Sequence, residues 1–297
     1  MRLILSAGLA ALMASAALAD VTVETAQGPV TLPETPAKVA ALDLGVADMM
    51  MALGVTPAAV PDKLYLDHLQ PLAQAAAPAG TLQEPDLEKL AALGPDLIVV
   101  ANRSAVKKDA VAQVAPAIDM TVDGADLIGQ AKARLAALAA LFGRQAEGEA
   151  LAAALDGKLA ALADAGRGKG TALVVLTNGP KMSAYGEGSR FGWIYEVTGL
   201  PQVEATLKSE ANHGDAVSHE FIAQANPDWL FVLDRGAAIG ADEPSARATL
   251  DNELVRRTSA WKNGHVVYLP ADNVYLAPGG YTALSETLDA LTAALSE

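Results

Sequence analysis

Two stretches of this chain repeat each other at a fixed separation, and no other feature narrows its folds so far. Residues 87–103 read LEKLAALGPDLIVVANR and residues 219–235 read HEFIAQANPDWLFVLDR. At an offset of 132, without a gap, Glu88 matches Glu220, Leu90 matches Ile222 and Ala91 matches Ala223. Pro95-Asp96 likewise matches Pro227-Asp228, and Arg103 matches Arg235. Each copy reads as a short helix, a Pro-Asp turn, a buried apolar strand and an arginine where the strand ends. Helix-turn-strand grammar is common in α/β proteins and often contains Pro and Asp. A shared Glu at one end and a shared Arg at the other favour two lobes built on one plan.

The rest of the chain fits such a plan. Val21–Val23 and Val30–Leu32 flank a turn near Gly28 and predict a hairpin. A short strand over Val39–Leu42 and a helix over Val46–Leu53, stopped by Gly54, begin an alternating α/β pattern. Between the repeats, Leu127–Leu141 and then Gln145–Ala165 carry apolar residues at helical spacing. A helix of about 20 residues is about 30 Å long, enough to join two lobes stiffly. The expected fold class is therefore α/β, with two Rossmann-like lobes joined by a long rigid connecting helix and a ligand cleft between them. The expected divisions are a first lobe over 20–124, a connecting segment over 125–168 and a second lobe over 169–297. Met49, Met50 and Met51 read as core filling on their helix.

In open α/β sheets, ligands bind beyond the carboxyl ends of the strands. Arg103 and Arg235 stand at such ends, one per lobe, so facing lobes would direct both into one cleft suited to a compact anion. The chain as a whole is acidic, with a formal charge of −14, and has no cluster of Lys or Arg that would suit a nucleic acid. Cysteine is absent, which excludes disulfides and thiolate metal sites. The first residues read as a secretory leader over 1–19. Arg2 is followed by an apolar run from Leu3, and Ala17-Leu18-Ala19 gives the small-x-small cleavage pattern before Asp20. The apolar run is too short to span a bilayer, so a cleaved, soluble periplasmic protein is expected.

Three further segments carry chemistry. GEGSRFGWIYE places Arg190 before a helix that begins near Phe191, in a glycine-rich loop whose N–H groups and guanidinium suit an anion. Taken alone, the segment reads as a surface turn with a solvated arginine. His213 precedes a helix that begins near Ser218, and Tyr275 stands before Pro278-Gly279-Gly280. On residue type alone, the histidine reads as solvated and the tyrosine as packing or a hydrogen-bond donor. His68, His219 and His265 are weaker candidates, and His219 is expected on the exposed first turn of its helix. Glu88 and Glu220 open equivalent helices, where a carboxylate complements the helix dipole.

Together MSAYGEGSRFGWIYE, HGDAVSHEFIAQANPDWLFVLDR, TLDNELV and NVYLAPGG resemble the class III (cluster A-II) periplasmic binding proteins, specifically those for ferric catecholate siderophores. The resemblance runs over most of the mature chain. It implies a non-enzymatic binding protein of an ABC importer, with no intrinsic cofactor and a ferric siderophore as transported ligand. It also implies a ligand-binding triad of Arg103, Arg190 and Arg235. His213 and Tyr275 would complete the iron coordination left open by a tetradentate ligand, and imidazole and phenolate both suit iron. Glu88 and Glu220 would dock on an inner-membrane permease. Asn273-Val274 replace an aromatic that many relatives carry before the tyrosine. The expected state is a monomer with no nucleic-acid partner. A receptor for another iron chelate, haem or a corrinoid is the alternative within binding proteins. A secreted α/β hydrolase is the alternative outside them, and no G-x-S-x-G elbow supports it.

Overall fold

A computed structural model describes residues 20–207 and 213–297. The leader assigned to 1–19 lies outside the described residues. A hairpin of β1 (Val21–Thr25) and β2 (Gly28–Leu32) precedes the first lobe. That lobe holds β3 (Val39–Ala41), α1 (Leu44–Ala52), β4 (Ala59–Val60), β5 (Ala77–Pro78), α2 (Leu87–Leu93), β6 (Leu97–Val100) and β7 (Ala117–Asp119). Its five strands are parallel, in the order β5-β4-β3-β6-β7.

The connecting segment consists of α3 (Leu127–Leu141) and α4 (Gln145–Gly166). The second lobe follows with β8 (Ala172–Asn178), β9 (Lys181–Tyr185), α5 (Trp193–Thr198), β10 (Asp215–Val217), α6 (His219–Ala225), β11 (Trp229–Asp234), α7 (Arg235–Ile239) and β12 (Val266–Tyr268). After it come α8 (Ala271–Leu276) and α9 (Tyr281–Ser296). The second sheet runs β10-β9-β8-β11-β12. In it β8, β11 and β12 are parallel, while β9 is antiparallel to both β8 and β10.

The repeat has a physical basis that extends to its turns. Asp86 caps α2 through the N–H groups of Glu88 and Lys89, and Ser218 caps α6 through that of Phe221. Both helices end on a left-handed residue, Gly94 (φ 61°) and Asn226 (φ 43°). These are residue types that tolerate this conformation. The shared aspartates then tie down a neighbouring strand. Asp96 accepts from Ala37 and Lys38 N–H at 3.0 and 2.7 Å, and Asp228 accepts from Thr171 N–H at 2.8 Å.

Alternate strand residues face different cores. Leu97 and Val99 of β6 join Val174 and Leu176 of β8 and Trp229, Phe231 and Leu233 of β11 in one core that runs through both lobes. Ile98 and Val100 face a smaller cluster in the first lobe, and Leu173, Val175, Leu230 and Val232 face another in the second. Strands buried on both faces explain their unbroken apolar runs.

The long helix α4 is about 33 Å long. Near its start, Gly148 abuts Ala139 of α3 and Leu53 at the end of α1. At its far end, Gly166 lies against the carbonyl of Thr198 and the side chain of Leu200 in the second lobe. It therefore reaches from one lobe to the other. The chain also returns: α9 packs on both α4 and α1. The buried carboxylate of Asp48 in α1 accepts from the N–H groups of Thr282 and Ala283 at 3.0 and 2.9 Å. His68 Nε2 stands 3.3 Å from the same carboxylate, within ion-pair range but not aligned as a hydrogen bond. Although burial opposes the imidazolium, Asp48, Glu286 and Asp272 hold its pKa above the usual histidine value.

Candidate functional site: an arginine-lined cleft between the lobes

The first lobe contributes the turn that follows β6. Asn102 is left-handed there (φ 48°), and its N–H donates to Thr121 Oγ1 at 2.8 Å. Its side-chain amide donates to Asp43 Oδ2 at 3.2 Å. Asp43 also caps α1, accepting from Gly45 and Val46 N–H at 2.9 and 3.2 Å. Burial pushes the Asp43 carboxyl up to about 6 against these hydrogen bonds and the charge of Arg103. So pinned, the turn sends Arg103 across to the Tyr275 carbonyl, where Nη2 donates at 2.7 Å.

The second lobe supplies two arginines. Arg190 is presented by a tight loop in which Ser189 N–H and Oγ both donate to the Gly186 carbonyl at 3.0 and 2.7 Å. Gly192 follows Phe191, and a Cβ there would overlap the Glu187 carbonyl. The helix after this loop starts at Trp193, two residues beyond the expected Phe191, because 186–192 are occupied in forming the loop. Arg235 is the first residue of α7, which Asp234 caps through the Ala237 N–H at 3.0 Å. Its Nη1 donates to Asn178 Oδ1 at 2.8 Å, and its Nε donates to the Tyr275 hydroxyl at 3.1 Å.

All three guanidinium groups surround the Tyr275 ring. Their central carbons stand 4.9 Å (Arg103), 5.0 Å (Arg190) and 5.8 Å (Arg235) from its centroid. Arg190 also lies 4.6 Å from the Phe191 ring. Burial and the like charge of Arg103 lower the Arg190 pKa. Burial raises the Tyr275 phenol, but the Arg235 hydrogen bond and the three positive charges outweigh it, so the net displacement is downward. A half-buried cationic cluster of this kind attracts negative charge.

Around this cluster open two adjoining cavities. The larger, about 590 Å³, is lined by Arg103 and Arg190 and by the apolar groups of Leu127, Phe191, Trp193 and Val274. The smaller, about 220 Å³, is lined by Arg235, Asn178, Lys181, Ser183 and Tyr185. Arg190, His213 and Tyr275 border both. The structure thus brings together the five expected residues Arg103, Arg190, Arg235, His213 and Tyr275. At Gly124 the lobes touch outright, since a Cβ there would overlap the Arg190 backbone.

Glu88 and Glu220 are not among the residues lining these cavities. Each is exposed at the second position of its helix. Glu220 is held below the usual carboxylate range by the Ser218 hydroxyl and its own N–H. The remaining histidines have other partners. His219 is half-buried, not exposed as expected, because its Nε2 lies 2.8 Å from the Thr249 carbonyl. His265 stacks on Trp229 at 3.9 Å. Among the described residues, no three His, Asp or Glu side chains converge as they would around a bare cation.

A sequence model described as "Periplasmic binding protein" matches residues 39–273. The chain belongs to that family. The petrobactin-binding protein of Bacillus subtilis is 33% identical over 261 residues, covering 86% of this chain and 82% of that protein. The ferric-anguibactin-binding protein of Vibrio anguillarum is 29% identical, covering 91% and 85% respectively. The crystal structure of the Bacillus subtilis petrobactin-binding protein superimposes with a TM-score of 0.87 at 30% identity, covering 94% of this chain and 99% of that one. That of the periplasmic catecholate-siderophore binding protein of Vibrio cholerae gives 0.86 at 29% identity, covering 93% and 100%. Two α/β lobes around a cleft are the architecture this periplasmic binding protein shares with them.

Sequence reasoning missed Asn178, Lys181 and Ser183. Lys181, Ser183 and Tyr185 alternate along KMSAY, so a strand period of two was present. The cleft on which that face opens was not visible from the segment itself.

Proposed function

We propose that this chain captures a ferric siderophore with catecholate donors in the periplasm and delivers it to an ABC permease in the inner membrane. The observation that carries this reading is the convergence of Arg103, Arg190 and Arg235 on Tyr275 in a cleft between two lobes. Arg103 donates to a carbonyl and Arg235 to a phenol and an amide, all neutral groups. The positive charge thus remains available to an anionic ferric complex. The named relatives bind petrobactin, ferric anguibactin and a catecholate siderophore. The small-x-small site before Asp20 supports export.

In this reading His213 and Tyr275 are iron ligands for a chelate that leaves two coordination positions open. They border the same two cavities, and a phenolate oxygen is a hard donor suited to Fe³⁺. Binding of a ferric tetradentate catecholate should shift its charge-transfer band and induce circular dichroism at that band. His213→Ala with Tyr275→Phe should abolish both signals while far-UV dichroism stays unchanged. A double variant with the wild-type visible spectrum would leave the two residues as cleft walls only.

Delivery assigns Glu88 and Glu220 to the permease. They are exposed, equivalent in the repeat, and carried one on each lobe. Exposed single ion pairs contribute little, so either change alone should leave uptake near normal. Glu88→Arg with Glu220→Arg should depress siderophore-dependent iron uptake strongly, with solution affinity unaltered. Normal uptake by that variant would reduce both residues to helix-start carboxylates.

A further inference from the structure

Asp43 is a buried carboxylate set one residue behind the cleft wall. It lines neither cavity and is 1% exposed. Its Oδ2 accepts from the Asn102 side-chain amide, and Asn102 and Arg103 both border the 590 Å³ cavity. The Asn102 amide thus stands between the carboxylate and the space that a ligand would fill. The hydrogen bonds to Asp43 come from neutral groups, namely the N–H groups of Gly45 and Val46 and that amide. The charged group that acts on it is Arg103, whose guanidinium is directed to the Tyr275 carbonyl. Packed against Gly45 from the other side is the turn 278–280, which presents the Pro278 carbonyl and carries no charged side chain.

Capping α1 does not call for this charge. Ser218, Ser245 and Thr258 cap helices of the second lobe with neutral oxygens. Asp86 caps α2 with a carboxylate, but in the open, where the N–H and the ammonium of Lys89 hold it below the usual carboxylate range. Asp43 is the opposite case, pushed up to about 6 by burial. A charge kept in so unfavourable a place, next to an anion-binding cavity, acts on whatever enters that cavity.

We propose that Asp43 sets the affinity of the cleft from behind its wall: its negative charge opposes an anionic ligand across the Asn102 amide, so that neutralising it tightens binding. The inference rests on the ferric siderophore reading and deepens it. Asp43 is a positioning residue that touches no ligand. The carboxylate that pins the turn bearing Arg103 also opposes what Arg103 attracts, and this moderates the grip of the three arginines and eases release. A bound anion disfavours the ionised form of Asp43 and raises its pKa further. Binding is therefore coupled to proton uptake, and Asp43 makes it stronger as pH falls through about 6. Asp123, Arg190, His213 and Tyr275 also border the cavity, and the ligand has phenols of its own. The contribution of Asp43 is accordingly read as a difference between variants.

The test is fluorescence titration of the full mature chain with the ferric complex of a synthetic bis-catechol having an uncharged linker, from about pH 5.5 to about pH 8. Asp43→Asn keeps a side-chain oxygen for the Gly45 and Val46 N–H groups, and Asn102 can turn its amide to accept from the new one. At about pH 8 this variant should bind about tenfold more tightly than wild type, the effect of one charge at short range in a partly screened site. At about pH 5.5 the two should agree within about twofold, because wild-type Asp43 is then mostly protonated. Calorimetry in two buffers of different ionisation enthalpy should show wild type taking up about half a proton more than the variant on binding at about pH 6.5. Asp43→Ser, another neutral cap, should follow Asp43→Asn and decides the matter if the asparagine variant does not fold. Weaker or unchanged binding at about pH 8 by a folded neutral variant, or proton uptake equal to wild type, would reduce Asp43 to a helix cap while leaving the siderophore reading in place. Failure of the wild type to bind the complex at any pH would overturn both.

Discussion

Replacing Arg190 and Arg235 together by alanine is expected to weaken the binding of a ferric catecholate by about two to four orders of magnitude. Each charge-assisted hydrogen bond contributes about 1.5–3 kcal/mol, and about 1.4 kcal/mol corresponds to tenfold in affinity. Stability should respond differently. Burial and the charge of Arg103 already lower the Arg190 pKa, so the cluster is held together against its own repulsion. Removing two of its cations relieves that repulsion, and the thermal midpoint should stay level or rise. Titration by tryptophan fluorescence, with Trp193 in the cleft wall, and thermal unfolding of the same samples provide the check. Affinity within threefold of wild type would remove the two arginines from the binding site.

The second large effect concerns the connecting helix. Gly166→Ala should destabilise the protein by about 3 kcal/mol, at the upper end of what overpacking costs, and lower the thermal midpoint by roughly 5–10 °C. Helix propensity alone predicts the opposite sign, since alanine is the better helix former by about 1 kcal/mol. The reason is steric: a Cβ at this position would overlap the Thr198 carbonyl, which belongs to buried backbone of the second lobe. Gly157, in the same helix, is the control. It is exposed, and nothing lies within 4 Å of where its Cβ would stand. Gly157→Ala should therefore stabilise by a few tenths of a kcal/mol up to about 1 kcal/mol. Equal behaviour of the two variants in denaturant melts would show that α4 does not bear on the second lobe.

Much of this architecture was legible because its signals are local. The paired segments beginning at Leu87 and His219 carry their own caps, turns and strand-locking aspartates within a few residues. The helices α3 and α4 announce themselves by spacing alone. Of the three arginines that converge on Tyr275, Arg103 and Arg235 are singled out by the repeat and Arg190 by family resemblance, since its loop otherwise passes for a surface turn. What escaped notice depends on contacts between distant residues. The two-residue strands β4 and β5 are too short to show any period. The β8–β9 hairpin looks like an ordinary strand and turn until its outer face is seen to open on the cleft. Asp43 resembles any helix cap. Only its position beside Asn102, 59 residues away in sequence, makes it a support for Arg103.

The clasp of Asp48 on the first turn of α9 bears on when the protein can fold at all. The two ends of that contact are separated by 234 and 235 positions in the chain. Until the last helix has left the ribosome, the carboxylate of Asp48 has no N–H groups to accept from, and the flank of α1 that α9 covers stays open to water. Closing so long a loop is slow on the scale of local helix formation. The first lobe therefore reaches its final packing only once the last helix is in place, so its folding is tied to the far end of the sequence and not to its own strands alone.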